Sequence, residues 1–178
     1  MIQYNDIEMR ADGDSVRYAL IKEGKRMIYV FGVNPSTATD SIPDPTMRKV
    51  IWFAGNNGFD GFAMMNLYPL RSTNPNALPK EIDPGLHIKN LQVIKEVIGK
   101  KANPVILLSF GNSIEATPFL KDCLIDIIDL LKSLSPQWKQ IGTPTKAGHP
   151  RHPSRAPYSS GIQDFDINEY LGLWGLDP

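Results

Sequence analysis

Apolar positions along the chain fall into two kinds of block. Met27–Val33 (MIYVFGV), Gly61–Asn66 (GFAMMN) and Pro104–Phe110 (PVILLSF) are short, nearly continuous runs, as expected of strands buried on both faces. Between them apolar residues recur at helical spacing: Met47, Val50, Ile51 and Ala54, then Ile88, Leu91, Ile94 and Ile98. The clearest amphipathic helix runs through Phe119, Leu120, Cys123, Leu124, Ile127, Ile128, Leu131 and Leu134. Asp44-Pro45 and Asp83-Pro84 each announce a helix start, with Asp as the N-cap and Pro at the first helical position. Gly58 marks the end of the first helix and Gly111 closes the third run. Arg17–Ile21 and Met27–Val33 flank Gly24-Lys25 and read as a strand, a turn and a second strand, an N-terminal hairpin. Trp138–Gly142 is a weaker strand candidate, and a short helix is expected around Phe165–Leu173.

Strand and helix alternate through most of the length, which predicts an α/β fold with a mainly parallel sheet covered by helices on both faces. No repeat, low-complexity tract or linker interrupts the pattern, so residues 1–178 are expected to form one domain. In such sheets ligands bind outside the carboxyl ends of the strands. The segments that fall there, NPSTATD, NLYPLR, GNS and HPRHPSR, also carry the least ordinary chemistry. Three loops, Gly32–Thr37, Asn66–Arg71 and His149–Arg155, are therefore expected to build one polar site.

Composition narrows the function classes. With 42% hydrophobic and 21% charged residues the chain is globular in type. No apolar run reaches the roughly 18 residues of a membrane span, and the first residues lack the apolar core of a secretory signal. A lone Cys123 inside a helical pattern suits a reducing cytosol and reads as a buried, inert thiol. Cytoplasmic location and no membrane partner are the expectation. Nineteen basic and nineteen acidic residues cancel, which argues against tight non-specific binding to a long nucleic acid. The balance is uneven, however. From Leu130 to Gln163 no acidic residue occurs, while Lys132, Lys139, Lys146, Arg151 and Arg155 do. That stretch is either a positive surface or an ordinary solvated face.

Each loop has a functional and a plain structural reading. Gly32-Val33-Asn34-Pro35-Ser36-Thr37 can aim backbone N–H groups and small hydroxyls at an anion or a water, or can be a turn in which Asn34 and Ser36 satisfy their own backbone. It is no P-loop, because no Gly-Lys-Ser/Thr follows. Asn66, at a strand end, offers an acceptor and a donor to a heterocycle edge, and Tyr68 offers a ring to stack; alternatively Asn66 ties down its loop. Arg71 closes that segment. In His149-Pro150-Arg151-His152-Pro153-Ser154-Arg155 two prolines fix four groups able to move a proton or bind phosphate. No second cluster completes a four-ligand metal set, and His87 stands alone near a helix start. Asp44 is fully accounted for as a helix cap, yet it lies close enough to the first loop to orient a water as general base.

RYALIKEGKRMIYVFGVNPSTA, DPTMRKVIWFAGNNGFDGFAMMNLYPLRSTNPNAL and GHPRHPSR together resemble the family known as domain of unknown function 1643. A more distant resemblance is to the uracil-DNA glycosylase superfamily, carried by GVNPS, Asn66 after the second core strand, VILLSFGNSIEA and HPSR. That resemblance implies a three-layer α/β/α sandwich with a roughly four-stranded parallel sheet binding a flipped-out base at the strand ends. Gly32–Pro35 is similar to the Gly-x-Asn-Pro form of its first motif, and Leu108–Gly111 to its leucine–tryptophan–glycine strand end, with Phe110 in place of Trp. His152-Pro153-Ser154 is similar to its His-Pro-Ser motif. Two departures stand out: Asn34 occupies the place of a water-activating Asp, and Arg155-Ala156-Pro157-Tyr158 follows where an apolar wedge is expected.

The resemblance implies hydrolysis of an N-glycosidic bond in a nucleoside, nucleotide or nucleic-acid base. Asn34, Asp44 and His152 would be catalytic, with Asn34 and Asp44 placing water and His152 stabilising the departing base. Asn66, Tyr68 and Phe110 would hold the base. Ser36, Thr37, Arg71, Asn112, His149, Arg151, Ser154 and Arg155 complete the expected binding set, Ser154 and Arg155 on phosphate. No metal or other cofactor is required. A small nucleobase compound or a single strand is the expected partner, since the neutral charge and missing wedge disfavour duplex DNA. Two rivals remain: a non-catalytic module reading a nucleotide or modified nucleic acid, and a phosphate-handling enzyme dependent on a divalent ion.

Overall fold

A computed structural model describes residues 2–175 and shows an α/β domain with a seven-stranded mixed sheet. The strands are β1 (Glu8–Asp12), β2 (Val16–Lys22), β3 (Met27–Gly32), β4 (Gly61–Asn66), β5 (Val105–Leu108), β6 (Gln137–Ile141) and β7 (Ile162–Asp164). They lie in the order β1-β2-β4-β3-β5-β6-β7. The four central strands, β4, β3, β5 and β6, are mutually parallel, and the outer strands join antiparallel.

The helices are α1 (Pro45–Asn56), α2 (Pro84–Ile98), α3 (Phe119–Leu131) and α4 (Ile167–Leu173). The Asp-Pro starts behave as expected. Asp44 accepts from Met47 N at 2.8 Å and Asp83 from Leu86 N at 3.0 Å, so each carboxylate serves an N–H that the helix leaves free. Met47, Val50 and Phe53 of α1 pack on Ile28, Val30, Phe62 and Met64 at one face of the sheet. On the other face Ile94, Leu120, Leu124 and Ile127 from α2 and α3 pack with Phe31, Met65, Ile106 and Leu108. Alternate residues of the buried strands thus feed opposite cores, which is why their sequences are apolar throughout.

The expected N-terminal hairpin is overturned. β2 and β3 are not paired, because β4 lies between them. The hairpin partner of β2 is β1, whose sequence Glu8-Met9-Arg10-Ala11-Asp12 is too polar and exposed to announce a strand. The sheet is accordingly larger and more mixed than a roughly four-stranded parallel one. Its antiparallel strand β2 has a consequence for the site. Running opposite to β4, it begins at the edge where β4 ends, and Arg17 N donates to Pro69 O at 3.0 Å.

No helix among the described residues is long and apolar enough to cross a membrane.

Candidate functional site

β3 runs through α1 to β4 on one side of it, and β4 returns through α2 to β5 on the other side. The connections pass over opposite faces of the sheet and leave a crevice at the carboxyl ends of these strands. A cleft of about 610 Å³ occupies this place. Asn34, Ser36, Asp44, Asn66, Phe110, Asn112, Arg151, His152, Ser154 and Arg155 all line it, so most of the expected site residues do meet.

Its floor is the pair of turns after β3 and β4. The two segments stay zipped beyond the sheet: Leu67 N donates to Gly32 O at 2.9 Å, Tyr68 N to Val33 O at 3.0 Å and Ser72 N to Pro35 O at 2.9 Å. The Asn34 carboxamide reinforces the seam, its Nδ2 donating to Ser72 O at 2.8 Å and Pro35 O at 3.1 Å. Asn66 is fully buried beside it. Both its amide groups are matched in the orientation whose nitrogen donates to Asn34 O at 3.2 Å and Met65 O at 3.3 Å. Gly32 allows this packing. A Cβ there would meet the Asn66 carboxamide at 2.9 Å.

The third wall carries His152. It caps the 3₁₀ turn Pro153–Arg155, and its Nδ1 lies 2.7 Å from Ser154 Oγ and 3.3 Å from Ser154 N. An Nδ1 that accepts from the Ser154 N–H places the ring proton of the neutral imidazole on Nε2. Burial holds the His152 pKa below its usual 6.5, partly opposed by the Asp44 carboxylate and assisted by Arg155. The ring is thus kept neutral near pH 7 with an N–H to donate. Gly111, in the left-handed region at φ +59°, lets the end of β5 pass close to this segment. Its N donates to Pro150 O at 2.9 Å, and a Cβ would sit 3.1 Å from that of His152.

Asp44 borders the same cleft, its Oδ1 spent on the α1 cap. Asn112 Oδ1 accepts from Thr145 Oγ1 at 2.7 Å, tying together the turns after β5 and β6. Arg151 is partly tethered, its Nε to Thr143 O at 2.8 Å and its Nη2 to Pro144 O at 3.2 Å.

Four expected site residues lie outside the cleft lining. Tyr68 is buried in the opposite core, edge-on to Phe119, with its hydroxyl accepting from Asp83 N at 3.2 Å. Strict alternation would put Tyr68 on the Asn66 side, but the chain leaves the strand pattern after Asn66, and Leu67 and Tyr68 both enter the opposite core. Arg71 braces the first loop from behind through Ser36 O at 2.7 Å and Ala38 O at 3.1 Å. Thr37 points out from that loop, exposed and away from the lining. His149 is fully buried, stacked on Trp174 at 4.3 Å, with Nδ1 2.8 Å from the Tyr170 hydroxyl. Its Nε2 lies 3.2 Å from Glu115 Oε1 and makes no hydrogen bond. His149 therefore anchors α4, and the two histidines of the HPRH segment serve different places.

Arg17 lines the cleft and was not anticipated. Within its strand it reads as one polar residue among apolar ones, and only the strand order brings it to the site. Thr46, Ser72, Thr73, Ser113 and Thr145 are further polar lining residues beyond the expected set.

A second cluster lies between α2 and α3. His87 Nε2 is 2.8 Å from Asp126 Oδ2, and His87 Nδ1 is 3.4 Å from Cys123 Sγ. The order Cys–His–Asp is that of a nucleophile with its base and orienting acid. Cys123 is nevertheless fully buried, burial pushes its thiol up to about 12 with Asp126 and Asp122 adding to the rise, and the cluster lies away from the cleft.

Comparison with known proteins gives one family. Residues 17–154 match the model of a protein family of unknown function, DUF1643. No curated protein and no solved structure matches the chain.

Proposed function

The chain belongs to the DUF1643 family of proteins of unknown function, and we propose that it holds a nucleobase in the strand-edge cleft and hydrolyses its N-glycosidic bond. One observation carries this reading: a buried carboxamide, Asn66, shares a cleft with a neutral imidazole N–H donor, His152. The first suits the edge of a base, and the second suits the negative charge a base acquires as it leaves. Phe110 borders the slot as an apolar wall.

In the proposed reaction the oxygen of a water bonds to the anomeric carbon as the carbon–nitrogen bond breaks. The bond pair leaves with the base, whose nitrogen accepts from His152 Nε2–H. The water gives its proton to Asp44, through the carboxylate oxygen not used in capping α1. Asn34 holds the seam on which that water would sit, and Ser154 and Arg155 line the cleft beside His152.

The resemblance to the uracil-DNA glycosylase superfamily supports the same reading, and we take the four parallel central strands as the equivalent of that superfamily's core. The segment after His-Pro-Ser argues for a small or single-stranded substrate. Tyr158 packs edge-on to Trp52 at 4.9 Å and under Lys49 at 3.9 Å, so it is folded against α1 instead of projecting as a wedge. A cytosolic protein working on such substrates fits the lone buried thiol.

A second reading, binding without hydrolysis, is favoured by Asn34. An amide cannot take a proton from water as a carboxylate does, and its nitrogen is already committed to the loops. The test is incubation with nucleosides, nucleotides and single-stranded oligonucleotides containing uracil or modified bases, with and without chelator. Released base that vanishes in His152→Ala supports hydrolysis. Binding without product in every case supports the reader, and product that needs a divalent ion supports different phosphate chemistry. Failure of all these ligands to bind would sink both leading readings.

A further inference from the structure

The side chain of Arg17 is an anomaly. It is 2% exposed, yet none of the ion pairs among the described residues includes it. Its Nη1 donates to Ala38 O at 2.8 Å, while its buried Nε has no partner. Arg71 stands beside it on the same carbonyl, also without a carboxylate and with its own Nε unserved. A buried and a half-buried guanidinium are thus drawn together on one neutral acceptor, the Ala38 carbonyl. Burying a cation without a counter-charge is costly, so such a pair is expected where an anion is to be bound.

The groups facing Arg17 do not remove the need. Burial and the adjacent Arg71 depress its pKa to about 10, against opposing contributions from Asp44 and Tyr4, so it is still cationic at neutral pH. Among the described residues Asp44 is the one carboxylate in the cleft lining, and it is shared with the α1 cap.

Position assigns the chemistry. Arg17 sits at the β2 end of the cleft and His152 toward the β5 and β6 end, with Asn66 and Asn34 between them. From the slot over β3 to β2 is two strand spacings, about 10 Å, the reach of a nucleotide from base to phosphate. Resting on the base-binding reading above, we propose that Arg17 is the phosphoryl-binding residue of the cleft, which makes the ligand a nucleotide and not a nucleoside. The fork of a guanidinium matches two phosphoryl oxygens, and Ser72 and Thr73 border the same end.

The experiment uses the whole chain and four probes: inorganic phosphate, ribose 5-phosphate, the four common nucleoside monophosphates with their nucleosides, and an unphosphorylated single-stranded pentanucleotide. Binding is read by calorimetry and by the Arg17 Nε–H resonance in the wild-type protein. Nucleotides are expected to bind about 10- to 100-fold tighter than their nucleosides. Arg17→Met is expected to abolish that difference without weakening nucleosides, and Arg17→Lys to restore part of it. Monophosphates that bind while the pentanucleotide does not identify a terminal phosphate, and the reverse identifies a strand. Ribose 5-phosphate binding as tightly as every nucleotide would keep the phosphoryl site and sink the base reading. An Arg17 resonance unmoved by all four probes overturns the proposal, and so does a folded Arg17→Met protein with unchanged nucleotide affinity. If Arg17→Met fails to fold, the wild-type titration decides.

Discussion

Two histidine clusters invite comparison. Between α2 and α3, Cys123, His87 and Asp126 stand in a hydrogen-bonded row with the order of a nucleophilic triad. At the strand edge, His152 has no acid aligned behind it, only the serine of its own turn. Judged by connectivity the first cluster is the better machine. Judged by access and charge it is inert, because Cys123 is sealed in the core and its thiol is pushed up to about 12. His152 borders a cleft and is held neutral by burial. Spacing between side chains recognises a proton path, but a path serves chemistry only where a reacting atom can reach it.

The comparison breaks most visibly by deletion on each side. His152→Ala is expected to cut base release about 10²- to 10³-fold while leaving the fold intact, checked by product analysis beside circular dichroism. His87→Ala should do the opposite. Product formation is unchanged, and stability falls by about 2 kcal/mol as Asp126 and Cys123 lose their partner, measured by urea unfolding. Loss of activity in His87→Ala with normal stability would return the helix cluster to candidacy. Gly111→Ala sharpens the contrast from the cleft side. It forces a side chain into the left-handed region, 3.1 Å from the Cβ of His152, and should cost about 1–2 kcal/mol together with a drop in rate. Cys123→Ala is the mildest substitution, about 1 kcal/mol of stability with no change in rate.

The pH response is the most gradual. His149 and His152 both have pKa values lowered by burial from 6.5, so below that pH the unfolded chain binds more protons than the folded one. Stability should therefore decline as pH falls below 6.5 and level off above it, whereas the His152-dependent rate should hold to lower pH, until the folded ring takes up its proton. A stability that increases on acidification through this range would contradict both assignments.

Much of this arrangement was legible in the residues. The buried strands and the Asp-Pro helix starts announced themselves, and polar residues at strand ends pointed to the cleft. β1 and β7 escaped because one is polar and exposed and the other has three residues. Strand order escaped too, and with it Arg17. Nothing local says that β2 skips its chain neighbour β3 to pair with β4. Tyr68 and His149 were misjudged for a related reason. Beyond a strand end the alternation of sides is lost, so the sequence does not say whether a loop residue such as Tyr68 or His149 faces the cleft or the core.

Residues 142–161, which hold Arg151, His152, Ser154 and Arg155, lie between two antiparallel neighbours, β6 and β7, and Gly142 N meets Gly161 O at 2.8 Å at the base of the excursion. The whole segment is in effect a cassette clipped shut at its root. Sequence can be exchanged within it while the sheet keeps its register, so relatives can acquire new ligand preferences there without rebuilding the scaffold.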